Sequence, residues 1–169
     1  MTDELGEPVV LDTTVLSNVA SSSSISDLLA VLATPATVPA VRKELQEGTN
    51  HGHEFLAVAL EHVGEDIPVI QINSESKGRY SKFRTSLDLG ETEALIGAIE
   101  RRGTLATDDL AARRLATDQD VATIGSIGIL VRGITRGILA PEAANNQLAT
   151  WRDERGYYSP VERVEDALE

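Results

Sequence analysis

The chain contains no cysteine, which excludes disulfides and thiolate metal sites and leaves the redox compartment open. Aromatic residues make up only 4% of it. No apolar run reaches the ~18 residues that a membrane-spanning helix needs. The acidic start Met1-Thr2-Asp3-Glu4 has no apolar segment behind it, so export is not expected and cytoplasm is the default. Lysine is nearly missing: only Lys43, Lys77 and Lys82 stand against twelve arginines. Gly125–Gly128 lacks the lysine and the spacing of a phosphate-binding P-loop. Neither an internal repeat nor a linker is visible.

What is present suits one domain. With 169 residues, of which 41% are apolar, the chain is long enough for a sizeable core. It is expected to form a single domain over 1–169, with a core of about 8–140 and a helical extension of about 141–169. The net charge of −12 argues against nonspecific nucleic-acid binding, which depends on phosphate neutralisation. At molar salt the screening length falls to ~3 Å, and an anionic substrate is then repelled much less. High acid, low lysine, abundant alanine and few aromatics together resemble the composition of proteins from salt-loving archaea.

Hydrophobic periodicity divides the chain into alternating strands and helices. Val9–Leu11 reads as a short buried strand that ends in Asp12 and turns into a helix over Val15–Ala20. Ser21–Ser24 reads as a loop, with Ser24 or Ser26 capping a helix whose inner face carries Ile25, Leu28, Leu29 and Leu32. Pro39–Glu47 is expected to be a helix ended by Gly48, followed by a helix over His51–Val63 and a strand over Ile67–Ile72. Residues 73–87 read as a loop or a ragged helix. Asp88–Arg102 is the clearest helix, with capping-box spacing between Asp88 and Glu91 and closure at Gly103. Thr104–Thr107 is a strand running into Asp108-Asp109, then a helix over Leu110–Thr117. Val121–Ile124 is the next strand, followed by helices over Ile129–Arg136 and Pro141–Arg155 and a short final one within Tyr157–Glu169. Such alternation implies an α/β fold: three layers, α/β/α, around a mostly parallel sheet of about four to five strands. Right-handed crossovers place the ends of the first strand and of Thr104–Thr107 on one edge.

In such a sheet the functional crevice lies outside the carboxyl ends of the strands, which is where Asp12 and Asp108-Asp109 fall. Carboxylates there converge near helix N-termini, where the dipole favours anions. Glu93, on a face that also carries Ile96, and Glu44, one turn into the Pro39 helix, are further candidates. Oxygen ligands of this kind suit Mg²⁺ or Mn²⁺, which activate water and hold the oxygens of a phosphodiester. The plain alternative is helix capping. A chain with 27 acids puts acids at helix starts by chance. Asp108 or Asp109 then caps the Leu110 helix, Glu91 partners Asp88, and Glu44 sits on a solvated helix.

The order of these segments carries a resemblance. Val9-Val10-Leu11-Asp12-Thr13-Thr14-Val15-Leu16 looks like the opening of a PIN domain, the nuclease fold shared by VapC-type toxins. Val38-Pro39-Ala40-Val41-Arg42-Lys43-Glu44-Leu45 is similar to the second motif of that family. Leu89-Gly90-Glu91-Thr92-Glu93-Ala94-Leu95-Ile96 resembles the third. Thr107-Asp108-Asp109 with Ala112-Arg113 resembles the fourth, and Gly125-Ser126-Ile127-Gly128-Ile129-Leu130 the segment after it. The similarity covers about Val9 to Gly137. Carried over, it implies catalytic and metal-binding acids at Asp12, Glu44, Glu93 and Asp109, with Asp108 competing for the last place. Ser126 stands where an archaeal and bacterial subgroup, which writes the third motif as Gly-Glu-x-Glu-Ala, often has threonine, and Glu93 where many toxins have the shorter aspartate. The resemblance further implies Mg²⁺- or Mn²⁺-dependent cleavage of single-stranded RNA, a homodimer and an antitoxin partner.

Thr13, Thr14 and Arg113, the last one turn after Asp109, are the candidate substrate contacts; Arg101-Arg102 reads equally as a solvated face. His51-Gly52-His53 reads as a surface loop, since no acid lies at ligand spacing. Trp151, Tyr157 and Tyr158 are expected to pack in the core or an interface, because base stacking needs them near the acids. The apolar residues of 25–33 and 52–63 offer a dimer surface. Two other functions remain. One is a PIN-like binding module without catalysis, suggested by the negative charge. The other is a phosphohydrolase with Asp12 as nucleophile, as in haloacid-dehalogenase-like enzymes, although those carry a second acid where Thr14 stands.

Overall fold

A computed structural model describes residues 5–21 and 25–168. Residues 1–4, Ser24 as a cap and Glu169 lie outside the described residues. The strand β1, Val9–Leu11, is fully buried at the heart of a parallel sheet. On one side lies β2, Pro35–Ala36, with Val9 opposite Pro35. On the other lies β3, Thr104–Ala106, with Leu11 opposite Ala106, and then β4, Ala122–Ile124. The sheet order is therefore β2-β1-β3-β4. Continuous apolar strands such as Val-Val-Leu are what a sheet covered on both faces demands. Because β1 and β3 are direct neighbours, the residues after Leu11 and after Ala106 emerge side by side.

The helices are α1 (Thr13–Ala20), α2 (Ile25–Leu32), α3 (Pro39–Asn50), α4 (Phe55–His62), α5 (Ser74–Arg79), α6 (Leu89–Arg101), α7 (Leu110–Asp118), α8 (Ser126–Thr135) and α9 (Pro141–Arg155). The longest insertion, between β2 and β3, ends in α6, which packs across β1 and β3 and against α3 and α7. A second group joins α1, α2, α8 and α9, completing the three-layer architecture. Leu11, Leu16, Leu95, Ile96, Leu105 and Leu130 are among the fully buried side chains at the centre. Among the described residues, no helix is long and apolar enough to cross a membrane.

Several elements differ from the sequence reading, each for a local reason. The expected strand Ile67–Ile72 is reduced to two isolated bridges, Thr37 with Val69 and Val63 with Ile67. Pro68 offers a carbonyl, accepting from Thr37 N at 2.9 Å, but has no N–H to continue a ladder. Gly48 does not end α3, which runs to Asn50. It lets α4 approach instead, since a Cβ there would collide with Leu56 Cδ1. The helix expected from His51 starts at Phe55, after the exposed turn His51-Gly52-His53. Arg102, not Gly103, holds the left-handed cap of α6, at φ 53°. Gly103 is needed because a Cβ would collide with the Pro8 carbonyl oxygen. Ser26 lies inside α2, and α8 begins at Ser126, three residues earlier than the periodicity indicates. Residues 73–87 hold α5 and a 3-10 turn, and among the described residues the tail keeps only the 3-10 turn Val164–Ala167. Leu28, Leu29, Val31 and Leu32 of α2 are buried within the chain, which removes them from the expected dimer surface.

Candidate functional site

Asp12 leaves β1 in extended conformation and caps α1, accepting from Val15 N at 2.9 Å through Oδ1. Its other oxygen accepts the Thr107 hydroxyl at 2.6 Å, a contact that follows from the β1–β3 pairing. The residue is 3% exposed. Burial pushes its carboxyl up from 3.8 to about 7, against the pull of the Thr107 and Val15 hydrogen bonds, and the charges of Asp108 and Glu91 add to the rise. Among the described residues no cationic side chain pairs with it.

The two acids after β3 are held in different ways. Asp109 caps α7, accepting from Ala112 N at 2.8 Å, while its own N–H donates to Thr107 Oγ1 at 3.1 Å. Asp108 reaches across to α8, accepting from Ser126 N at 2.8 Å and from the Ser126 hydroxyl at 2.6 Å. Ser126 Oγ in turn accepts from Asn18 Nδ2 at 3.0 Å, and the Asn18 carbonyl accepts from Trp151 Nε1 at 2.7 Å. Asn18, Ser126 and Trp151 are all buried, so a chain of satisfied polar groups runs from α9 to Asp108. Asn18 and Ser126 are supporting residues that the sequence reading did not assign. The available signal was an asparagine inside the apolar run of α1.

Arg113 lies on the same edge. Its Nε donates to the Thr107 carbonyl at 3.1 Å, and Nη2 is 4.0 Å from Asp108 Oδ1. Gly125 makes room for it, since a Cβ there would collide with Arg113 Nη2.

Glu44 and Glu93 are used reciprocally by α3 and α6. Glu44 Oε1 accepts from Gly90 N at 2.9 Å, in the first turn of α6, and Oε2 accepts the Thr13 hydroxyl. Glu93 Oε1 accepts from Ala40 N at 3.0 Å, in the first turn of α3, and Oε2 lies 3.5 Å from Lys77 Nζ. Each glutamate thus occupies the positive end of the other helix. Burial raises the Glu44 carboxyl, and the Asp88 charge adds to it. Glu91 completes the expected capping box with Asp88, accepting from Asp88 N at 3.2 Å while Asp88 accepts from Glu91 N at 2.8 Å. Burial also raises Glu91, with further repulsion from Asp88, Asp109 and Glu44. The charge of Glu91 is also one of those that raise Asp12.

Asp108 and Glu91 thus act on the charge of Asp12, and Asp109 and Glu44 on that of Glu91, while Glu93 is bound to the start of α3. Thr13 serves Glu44, and Thr14 is exposed. Among the described residues, no three acids or histidines stand close enough to hold a metal ion as they are arranged. The donor set, carboxylate oxygens with hydroxyls and no sulfur or imidazole, fits Mg²⁺ or Mn²⁺. The spacing does not by itself enclose such an ion.

The aromatic residues divide. Trp151 is fully buried and packs edge-on against Tyr157, 5.8 Å between ring centres. Tyr157 is half-buried against the core, as expected, and it lines a cleft together with the exposed Tyr158, Asp108 and Arg113. Burial pushes the Tyr157 hydroxyl up to about 12, with Asp108 raising it and Arg113 lowering it.

No curated protein and no solved structure matches the chain. One family model does, that of DUF3368, described as a PIN domain, over residues 8–169. PIN domains are nuclease-type folds that generally use divalent metal ions. With most of its length inside that match, the chain belongs to the PIN-domain family.

Proposed function

We propose that the chain is a Mg²⁺- or Mn²⁺-dependent endoribonuclease of the VapC toxin type. The observation that carries this reading is Asp12: a buried carboxylate at the end of the central strand, facing the charges of Asp108 and Glu91, with no cation among the described side chains paired to it. A divalent ion bound there supplies an activated water and electrophilic stabilisation of the phosphodiester. Asp12 and Asp108 would hold it, and Glu91, Glu44 and Asp109 would have to leave their present hydrogen-bond partners to join them. Thr107 fixes the Asp12 carboxylate, and the Trp151–Asn18–Ser126 chain fixes Asp108. Arg113, anchored on the Thr107 carbonyl, offers its remaining guanidinium donors to a phosphate. Thr13 and Thr14 line the same strand end.

Single-stranded RNA as substrate, an antitoxin partner, a homodimer and the cytoplasm belong to this reading; the PIN family supports a nucleic-acid ligand, and the rest follows from the resemblance of the motifs. The test is cleavage of a labelled single-stranded RNA at high salt with millimolar Mn²⁺, against the same reaction in chelator. Cleavage is expected only with metal, and Asp12→Asn or Asp108→Asn should abolish it while the fold persists. Undiminished cleavage in both variants refutes the proposal.

One observation favours a second reading. Glu44, Glu93 and Asp109 each hold a helix N-terminus, and among the described residues no three acids close around an ion. A PIN domain retained for binding alone predicts RNA or protein binding with no effect of Mn²⁺ on either stability or affinity.

A further inference from the structure

Next to the acids opens a cleft of about 680 Å³. Asp108 and Arg113 line it, together with Leu110, Ile127, Tyr157 and Tyr158 among others. Two of these residues are placed in a way the fold does not require. Tyr158 is 88% exposed and Leu110 is 68% exposed, the two most exposed large apolar groups described. Exposed aromatic and aliphatic groups at the mouth of a cleft mark a binding surface rather than a core.

Position gives the cleft its meaning. Arg113 is not a free surface cation: the Thr107 carbonyl, Asp108 and the missing side chain at Gly125 fix its guanidinium between acids and aromatics. A strand whose phosphate meets Arg113 has this cleft beside it for its next residue. A nucleobase is the group that suits it, because it offers a flat face to a tyrosine ring and apolar edges to Leu110 and Ile127. The phosphate beside it matches the Arg113 guanidinium on the wall.

We propose that this cleft is a base-binding subsite, in which Tyr158 stacks one nucleobase of single-stranded RNA adjacent to the phosphate held at Arg113. The inference rests on the proposed function for the position of the reacting phosphate, although base binding itself can be measured without cleavage. It gives Tyr158 a use other than the packing expected of it, while Tyr157 keeps its packing against Trp151. It also gives the tail after α9 a purpose, which is to carry Tyr157 and Tyr158 back to the strand ends.

The test is a binding cycle in the Asp12→Asn background, with fluorescent single-stranded RNA and a set of the same oligonucleotide carrying one abasic position in turn. Tyr158→Ala should weaken binding by about 5- to 150-fold, the equivalent of losing one base–aromatic stack. Tyr158→Phe should retain it, since stacking needs the ring and not the hydroxyl. One abasic position should weaken binding to the parent protein and have no further effect on Tyr158→Ala. Equal affinity of the parent and Tyr158→Ala overturns the subsite, as does an abasic penalty that is the same in both. Loss of a dimer rather than of RNA affinity in Tyr158→Ala, seen by sedimentation, also overturns it in favour of a second copy. Cleavage that survives in Tyr158→Ala without any change in affinity refutes the subsite and leaves the nuclease standing. Base binding without cleavage in the unsubstituted protein does the reverse.

Discussion

Replacing Asp12 with asparagine should change how the stability of the metal-free protein depends on pH. The folded carboxyl titrates at about 7 against an ordinary 3.8. Between those values the folded state holds a proton that the unfolded chain has released, so stability falls as pH rises through the window and levels off above about 7. At 1.36 kcal/mol per decade, the full penalty is ~4 kcal/mol, of which ~2.5 kcal/mol accrues between pH 5 and pH 8. Asparagine has the same shape, keeps an oxygen for Val15 N and cannot titrate. Glu44 and Glu91 are raised as well and contribute with the same sign, but they are common to both proteins and cancel in the difference. Urea unfolding at several pH values, with divalent ions removed, should therefore show the variant gaining on the parent by about 2.5 kcal/mol from pH 5 to pH 8. Parallel curves would refute the claim that Asp12 is a buried carboxylate without a counter-charge.

Glu91 and Glu93 of α6 should separate by function. Glu93→Ala leaves the buried Ala40 N–H without its acceptor and should cost ~1–3 kcal/mol in urea unfolding, with Mn²⁺ affinity retained. Glu91→Gln should leave stability nearly unchanged and weaken Mn²⁺ binding in calorimetry; the opposite pairing would return Glu93 to the site. Gly103→Ala should destabilise by ~1–3 kcal/mol, since its Cβ meets the Pro8 carbonyl oxygen and neither backbone can yield cheaply. A neutral result in thermal unfolding would show that the close approach of β1 and β3 is looser than this contact implies. Trp151→Phe removes the donor to the Asn18 carbonyl at a fully buried position and should cost at least ~2 kcal/mol. It should also lower cleavage by loosening Asn18, Ser126 and Asp108; stability loss with undiminished specific activity would disconnect α9 from the site.

Much of the fold was legible because burial writes itself into pattern. Val9–Leu11 and Thr104–Ala106 are apolar runs short enough for strands, and Asp88 with Glu91 announces the start of α6 at capping-box spacing. Asp12 stood out for the same reason, an acid where an apolar run stops. What stayed hidden depends on contacts distant in sequence. Gly48 reads as a helix end until Leu56 packs on it, and Pro68 hides in an apolar run that otherwise reads as a strand. Glu44 and Glu93 look like independent acids, and only the packing of α3 on α6 shows each seated on the other helix. Tyr158 lies 50 residues after Asp108 in the sequence, and no local signal could place it at the same cleft.

The central claim is that the acids at the ends of β1 and β3 form a divalent-cation site. A crystal of the unsubstituted protein grown with millimolar Mn²⁺, measured at a wavelength where manganese scatters anomalously, tests it most directly. A peak bonded to Asp12 and to at least one of Asp108 and Glu91 is expected, absent in Asp12→Asn. A crystal with no peak at Asp12, or with manganese only at Glu93 or the surface, would contradict it.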